Sequence, residues 1–125
     1  MTVANEFRIV SIDDDKIQHI LLKKRVALIN PSAQVSSFEE PESAMDFLGK
    51  NKVELIFLDL NFPGISGWDL LRKLKEFTDA PVVVLSGNIS REEQEKIVEF
   101  PQAIRLLEKP ISNEQLSDIF NFLNS

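Results

Sequence analysis

The 125-residue chain contains no cysteine, which excludes disulfides and thiolate metal sites. Its apolar runs are all far too short to span a bilayer. The opening Met1-Thr2-Val3-Ala4-Asn5-Glu6 lacks the basic-then-apolar pattern of a secretory signal. A cytoplasmic protein is therefore expected, with no membrane partner. Basic residues are outnumbered, 14 Lys and Arg against 20 Asp and Glu, for a net charge of -6. That balance argues against broad nucleic-acid binding, which needs a basic face to neutralise phosphates. No internal repeat, low-complexity tract or linker is present. There is one histidine, His19, with no kinase-type sequence around it, and it is expected as an exposed helix residue.

What the chain does have is a repeated juxtaposition of apolar runs and acids. Ile9-Val10-Ser11-Ile12 leads into Asp13-Asp14-Asp15, and Leu55-Ile56-Phe57-Leu58 ends on Asp59. Val82-Val83-Val84-Leu85 ends on Ser86, and Ile104-Arg105-Leu106-Leu107 ends on Glu108-Lys109-Pro110. Runs that are apolar throughout suit strands buried on both faces, as in a parallel sheet covered by helices. Residues 35–38 are weaker and suit an edge strand. Carboxylates gathered at the ends of buried strands repel one another unless a cation sits among them. A hard divalent cation, a hydroxyl and an ammonium around one carboxylate form a phosphate-handling site.

Amphipathic segments lie between these runs. Residues 16–28 place Ile17, Leu21 and Leu28 on one face, interrupted by Lys24. Residues 41–48 offer Ala44, Phe47 and Leu48, with Gly49 suited to the helix end. Ser66 can cap a helix carrying Leu70, Leu71, Leu74 and Phe77. Ser90 with Glu93 and Ser112 with Gln115 match capping boxes. The first opens a helix that is apolar only at Ile97 and Val98; the second opens one bearing Leu116, Ile119, Phe120 and Leu123. Trp68 reads as a packing residue and a candidate fluorescence reporter. The order is β-α repeated five times, an α/β doubly wound parallel sheet in a single domain over residues 1–125. In such sheets ligands bind outside the carboxyl ends of the strands. Asp13, Asp14, Asp59, Ser86 and Lys109 all fall there.

Taken in order, these motifs resemble a response regulator receiver domain of two-component signalling. Asp59-Leu60-Asn61-Phe62-Pro63-Gly64-Ile65-Ser66-Gly67 resembles the loop after the family's phosphorylated aspartate; Ser86-Gly87 and Lys109-Pro110 resemble its later motifs. The resemblance implies a flavodoxin-like strand order 2-1-3-4-5. It also implies Asp59 as the phosphoacceptor and nucleophile, and Mg2+ held by Asp13, Asp14, Asp59 and the backbone carbonyl of Asn61. Lys109 would pair with Asp59 and then a phosphoryl oxygen, Ser86 would donate to the phosphoryl group, Gly87 would leave room for it, and a cis peptide would precede Pro110. Asp15 would start the first helix rather than bind the ion.

The implied donor is a histidine kinase or histidine phosphotransfer protein. The implied output is a partner reading residues 91–98, 104–107 and 113–123, or a dimer formed on phosphorylation. Such a chain is a switch that catalyses its own phosphorylation and slow dephosphorylation rather than an enzyme acting on other substrates. Leu106 stands where the family often has an aromatic, Phe62 where methionine is frequent, and Phe100-Pro101-Gln102-Ala103 replaces a common Gly-Ala turn. The usual aromatic switch is therefore not expected here. Three alternatives stay open: a receiver fragment of a longer regulator, a Mg2+-dependent aspartate-nucleophile phosphohydrolase built on Asp13 and Asp15, and a binding module that never needs phosphorylation.

Overall fold

A computed structural model describes residues 7–124. Residues 1–6, read above for a signal pattern, lie outside the described residues. Ten elements alternate along the described residues: β1 (Arg8–Ile12), α1 (Lys16–Ile29), β2 (Gln34–Phe38), α2 (Pro41–Lys50), β3 (Leu55–Asp59), α3 (Gly67–Leu74), β4 (Val82–Ser86), α4 (Arg91–Ile97), β5 (Ala103–Glu108) and α5 (Asn113–Leu123). The strands form one parallel sheet in the order β2-β1-β3-β4-β5, the order the resemblance implies. No helix among the described residues is long and apolar enough to cross a membrane.

The wholly apolar strands explain this arrangement. Every residue of β3 and β4 is buried, because helices cover both faces of the sheet. Side chains alternate between the faces with a period of two. Val10, Ile12, Ile56, Leu58, Val82 and Val84 meet Ala44, Met45 and Leu48 of α2 and Leu70, Leu71 and Leu74 of α3. Ile9, Leu55, Phe57, Val83 and Leu85 meet Leu22 and Val26 of α1 and Leu116, Ile119 and Phe120 of α5. Each large apolar side chain buried this way stabilises the fold by about 1.5–3 kcal/mol before the entropy of ordering it is counted. The two edge strands, β2 and β5, have no fully buried residue.

The polar punctuation behaves largely as read. Asp15 caps α1 by accepting from the N–H of Ile17, and Pro41 begins α2, where its missing N–H is no loss. Both capping boxes form, at Ser90 with Glu93 and at Ser112 with Gln115. Gly67 is required at the start of α3: a Cβ there would lie 2.5 Å from the carbonyl oxygen of Leu60, so only glycine lets the helix return this close to the end of β3.

Six expectations need correction. The buried face of α1 is His19, Leu22 and Val26; Ile17 and Leu28 are 65% and 76% exposed. The apolar residues of this helix are spread nearly all round it, among Lys16, Gln18, Lys23, Lys24 and Arg25, so its periodicity does not mark the inner stripe. His19 is accordingly buried, with both ring nitrogens engaged, and not exposed. Gly49 lies within α2, which runs one residue further to Lys50. Ser66 precedes α3 without making a side-chain cap, Phe77 falls beyond the end of that helix, and Val98 is exposed.

Candidate functional site

Register brings the acids together. Ile12 of β1 pairs with Leu58 of β3, so the residues that follow them, Asp13 and Asp59, emerge side by side. Asp59 in turn pairs with Leu85, and Ser86 with Glu108, which places Ser86 and then Lys109 at the neighbouring strand ends. The N–H of Lys109 donates to the Ser86 carbonyl at 2.9 Å and fixes that last step. The peptide between Lys109 and Pro110 is cis, as expected.

One carboxylate oxygen from each of Asp13, Asp14 and Asp59 lies within 4.8 Å of the other two. Asp13 and Asp59 are buried, and Asp14 is exposed at the mouth. Lys109 Nζ sits 3.1 Å from Asp13 Oδ2 and 3.2 Å from Asp59 Oδ1. The free oxygens are few. Asp13 Oδ1 accepts from the N–H of Asp15, and Asp59 Oδ1 accepts from the N–H of Asn61, both at 2.9 Å. Asn61 Oδ1 also accepts from the N–H of Gly87 at 3.1 Å, tying the loop after β3 to the loop after β4.

One ammonium against three carboxylates leaves the cleft negative. Burial, and then the charge of Asp59, push the Asp13 carboxyl above its ordinary value, against the opposing pull of the Asp15 amide and Lys109. For Lys109, burial alone would lower the pKa; the carboxylates of Asp13 and Asp59 outweigh it and hold the ammonium above its ordinary value. Asp13 Oδ2 is buried and accepts no hydrogen bond, its nearest positive partner being the Lys109 ion pair. A buried carboxylate oxygen with spare acceptor capacity, on an acid clustered with two further carboxylates, fits a hard cation of the Mg2+ kind, which takes one or two carboxylates and keeps several waters.

Ser86 is buried at the same strand ends, but its hydroxyl points elsewhere. Ser86 Oγ donates to Glu93 Oε1 at 2.9 Å and accepts from the N–H of Asn88 at 3.3 Å. Glu93 is the third residue of α4 and the acid of its capping box, so one carboxylate oxygen serves both Ser86 and the N–H of Ser90. Sequence reading found the capping box and missed this second bond. Local spacing does not give it, because Glu93 lies seven residues past the strand-end serine, across the loop between β4 and α4. Asp15, which the phosphohydrolase alternative sets beside Asp13, is instead the cap of α1 and is not one of the three clustered acids.

Comparison with known proteins agrees with this geometry. The sequence pattern of the response regulator receiver domain matches residues 9–121. The two-component response regulator ARR7 of Arabidopsis thaliana is 31% identical over 129 residues, covering 91% of this chain and 59% of that protein. The chain spans less than two thirds of the length of such curated relatives, and only 28% for the Arabidopsis thaliana regulator ARR20. Among solved structures, a two-component response regulator from Cytophaga hutchinsonii superposes with a TM-score of 0.85 at 22% identity, covering 95% of this chain and 97% of that one. A response regulator protein from Burkholderia pseudomallei, solved with a phosphorylated aspartic acid and a calcium ion, gives 0.73 at 22% identity, covering 96% and 74%.

Proposed function

Because this chain belongs to the response regulator receiver domain family, we propose that Asp59 accepts a phosphoryl group from a phosphohistidine and that the resulting charge switches partner binding. The observation that carries the reading is the position of Lys109, whose ammonium bridges Asp13 and Asp59 inside a cleft of three carboxylates.

An oxygen of the Asp59 carboxylate attacks phosphorus as the phosphorus–nitrogen bond to the donor histidine breaks, leaving an acyl phosphate on Asp59 and a free imidazole on the donor. The donor is a histidine kinase or a histidine phosphotransfer protein. Such a transition state is loose, so the protein supplies position and charge rather than covalent chemistry. Asp13, Asp14, Asp59 and the Asn61 carbonyl would hold Mg2+, which supplies neutralising charge to the phosphoryl oxygens. Lys109 holds the Asp59 carboxylate in place through their ion pair, then pairs with a phosphoryl oxygen. The chain acts as a switch that catalyses its own phosphorylation and slow dephosphorylation, in the cytoplasm.

The output follows from Ser86. To donate to the phosphoryl group its hydroxyl must leave Glu93, and α4 then loses one of the polar bonds at its start. Phosphorylation also adds negative charge close to that carboxylate. A population shift of α4, and with it the face formed by α4, β5 and α5, is the signal a partner reads. Leu106 supplies no aromatic to this motion. Like Trp68, Ile97 and Phe100 it is partly buried against the core on the α2 and α3 side of the sheet, and the rings of Trp68 and Phe100 stack 5.4 Å apart. Gln102 stitches the unusual turn before β5 to the loop before β4 by donating to the carbonyls of Thr78 and Ala80.

Incubation with Mg2+ and acetyl phosphate tests the reading. Intact mass is expected to rise by one phosphoryl group in the native chain and to stay unchanged in Asp59→Asn or in the presence of EDTA. The same gain in Asp59→Asn would overturn it.

A further inference from the structure

We propose that His19 is a positioning residue of the acidic site: its ring fixes the backbone of Asp13 and thereby aims the Asp13 carboxylate at the cation position and at Lys109. The inference rests on the reading of Asp13 as a cation ligand and extends it to a residue outside the strand ends.

His19 lies in the second turn of α1, on the stripe it shares with Leu22 and Val26, and is 6% exposed. Its Nε2 is 2.7 Å from the carbonyl oxygen of Asp13, and its Nδ1 is 3.1 Å from Ser11 Oγ. A carbonyl oxygen can only accept, so Nε2 carries the proton. In the neutral ring Nδ1 is then the acceptor, and the Ser11 hydroxyl donates to it. Ser11 and Asp13 stand two residues apart and so on the same side of the backbone, the side that α1 covers. One ring therefore spans the last residue of β1 on the α1 side and the first acid of the site.

The consequence for Asp13 is that its peptide groups are held from both flanks. Its N–H donates to the Phe38 carbonyl of β2 at 3.1 Å, and its C=O accepts from His19. Its Oδ1 accepts from the Asp15 amide. With these three bonds made, the remaining oxygen, Oδ2, is left to the Lys109 ammonium, on an acid that clusters with Asp14 and Asp59. A leucine would fill the same stripe between α1 and the sheet. It would also leave the Asp13 carbonyl and the Ser11 hydroxyl buried without partners and release the turn that carries the acids. Groups that orient ligands in this way typically set metal affinity by 10- to 100-fold.

Calorimetric titration of the metal-free chain with Mg2+ tests this. His19→Leu and His19→Asn, the latter too short to reach the Asp13 carbonyl, are expected to bind roughly tenfold more weakly or worse. His19→Gln, whose amide N–H can reach that carbonyl, is expected to stay within about threefold of the native chain. Val26→Ala, on the same stripe of α1 but remote from the turn, is expected to lower the urea midpoint and leave Mg2+ affinity unchanged. Native affinity in both His19→Leu and His19→Asn would overturn the inference, as would an equal loss in Val26→Ala; if His19→Leu does not fold, the Asn and Gln variants decide alone. Nitrogen NMR of the ring must show the proton on Nε2, and a proton resting on Nδ1 alone would contradict the geometry. A native chain that binds no Mg2+ would sink the cation-site reading and this inference together, which separates that failure from one confined to His19.

Discussion

Helices α3 and α4 lie on the same face of the sheet, and each follows a strand that ends in a site residue, yet they are held in different ways. α3 follows Asp59 and buries Gly67, Leu70, Leu71 and Leu74. α4 follows Ser86 and buries none of its residues. Its start is held by the Ser90–Glu93 capping box and the Ser86–Glu93 bond, and near its end Ile97 and Phe100 are half-buried. Apolar anchoring cannot be released without opening a cavity. A polar bond worth about 1 kcal/mol can be exchanged for another of equal strength. Asp59, the proposed phosphoacceptor, thus precedes the fixed helix, and the Ser86 hydroxyl is bonded to the releasable one.

Truncating the apolar anchors should expose this contrast most strongly. Leu74→Ala is expected to cost about 2–5 kcal/mol in urea denaturation. Ile97→Ala, only half-buried, should cost less than about 1.5 kcal/mol. Equal losses would mean that α4 is anchored as firmly as α3. A smaller effect is expected from Ser86→Ala, which takes the donor from Glu93. It should weaken the start of α4 by about 1 kcal/mol, roughly fivefold in its opening equilibrium. Hydrogen exchange at the Glu93 and Gln94 amides, both bonded to Ser90, should quicken, while the Leu70 amide of α3 should not change. Uniform quickening of both helices would erase the distinction.

The third effect is given by its sign, and it belongs to the fixed side. Burial, reinforced by Asp59, holds the Asp13 carboxyl above its ordinary value of 3.8. Between that value and the folded one, the folded chain binds the proton more readily than the unfolded chain. Without divalent cation, this contribution to stability is therefore full below 3.8 and lost as pH rises through the folded value. Asp13→Asn never ionises, so in EDTA its urea midpoint should exceed that of the native chain at neutral pH, and the gain should vanish on acidification. Exchange at α4 should not change, since the effect arises at β1. A native chain at least as stable as the variant at neutral pH would contradict this.

The sheet was readable because β3 and β4 carry no polar residue before their final Asp59 and Ser86, a pattern that few environments other than a twice-covered parallel strand accept. The acids, the lysine and the capping boxes were readable for a related reason: polar groups at the ends of apolar runs are conspicuous. α1 was misread because Ile17, Ile20, Leu21, Leu22, Val26, Leu28 and Ile29 point in nearly every direction, and the stripe that is actually buried includes a histidine. A template that counts only apolar residues passes over it. The clue was Ser11, a hydroxyl inside the apolar run from Ile9 to Ile12, which needed a partner from the covering helix. Glu93 was half-read: local spacing identified the capping box, whereas its bond to Ser86 depends on how the loop after β4 folds.

Chemical placement of the phosphoryl group tests the central claim most directly. Borohydride reduces an aspartyl phosphate to homoserine, which peptide mapping can assign to one residue. After treatment with Mg2+ and acetyl phosphate, homoserine is predicted at position 59 and at neither position 13 nor 14. Homoserine at Asp13 or Asp14, with Asp59 intact, would contradict the account and return the nucleophile to the first strand.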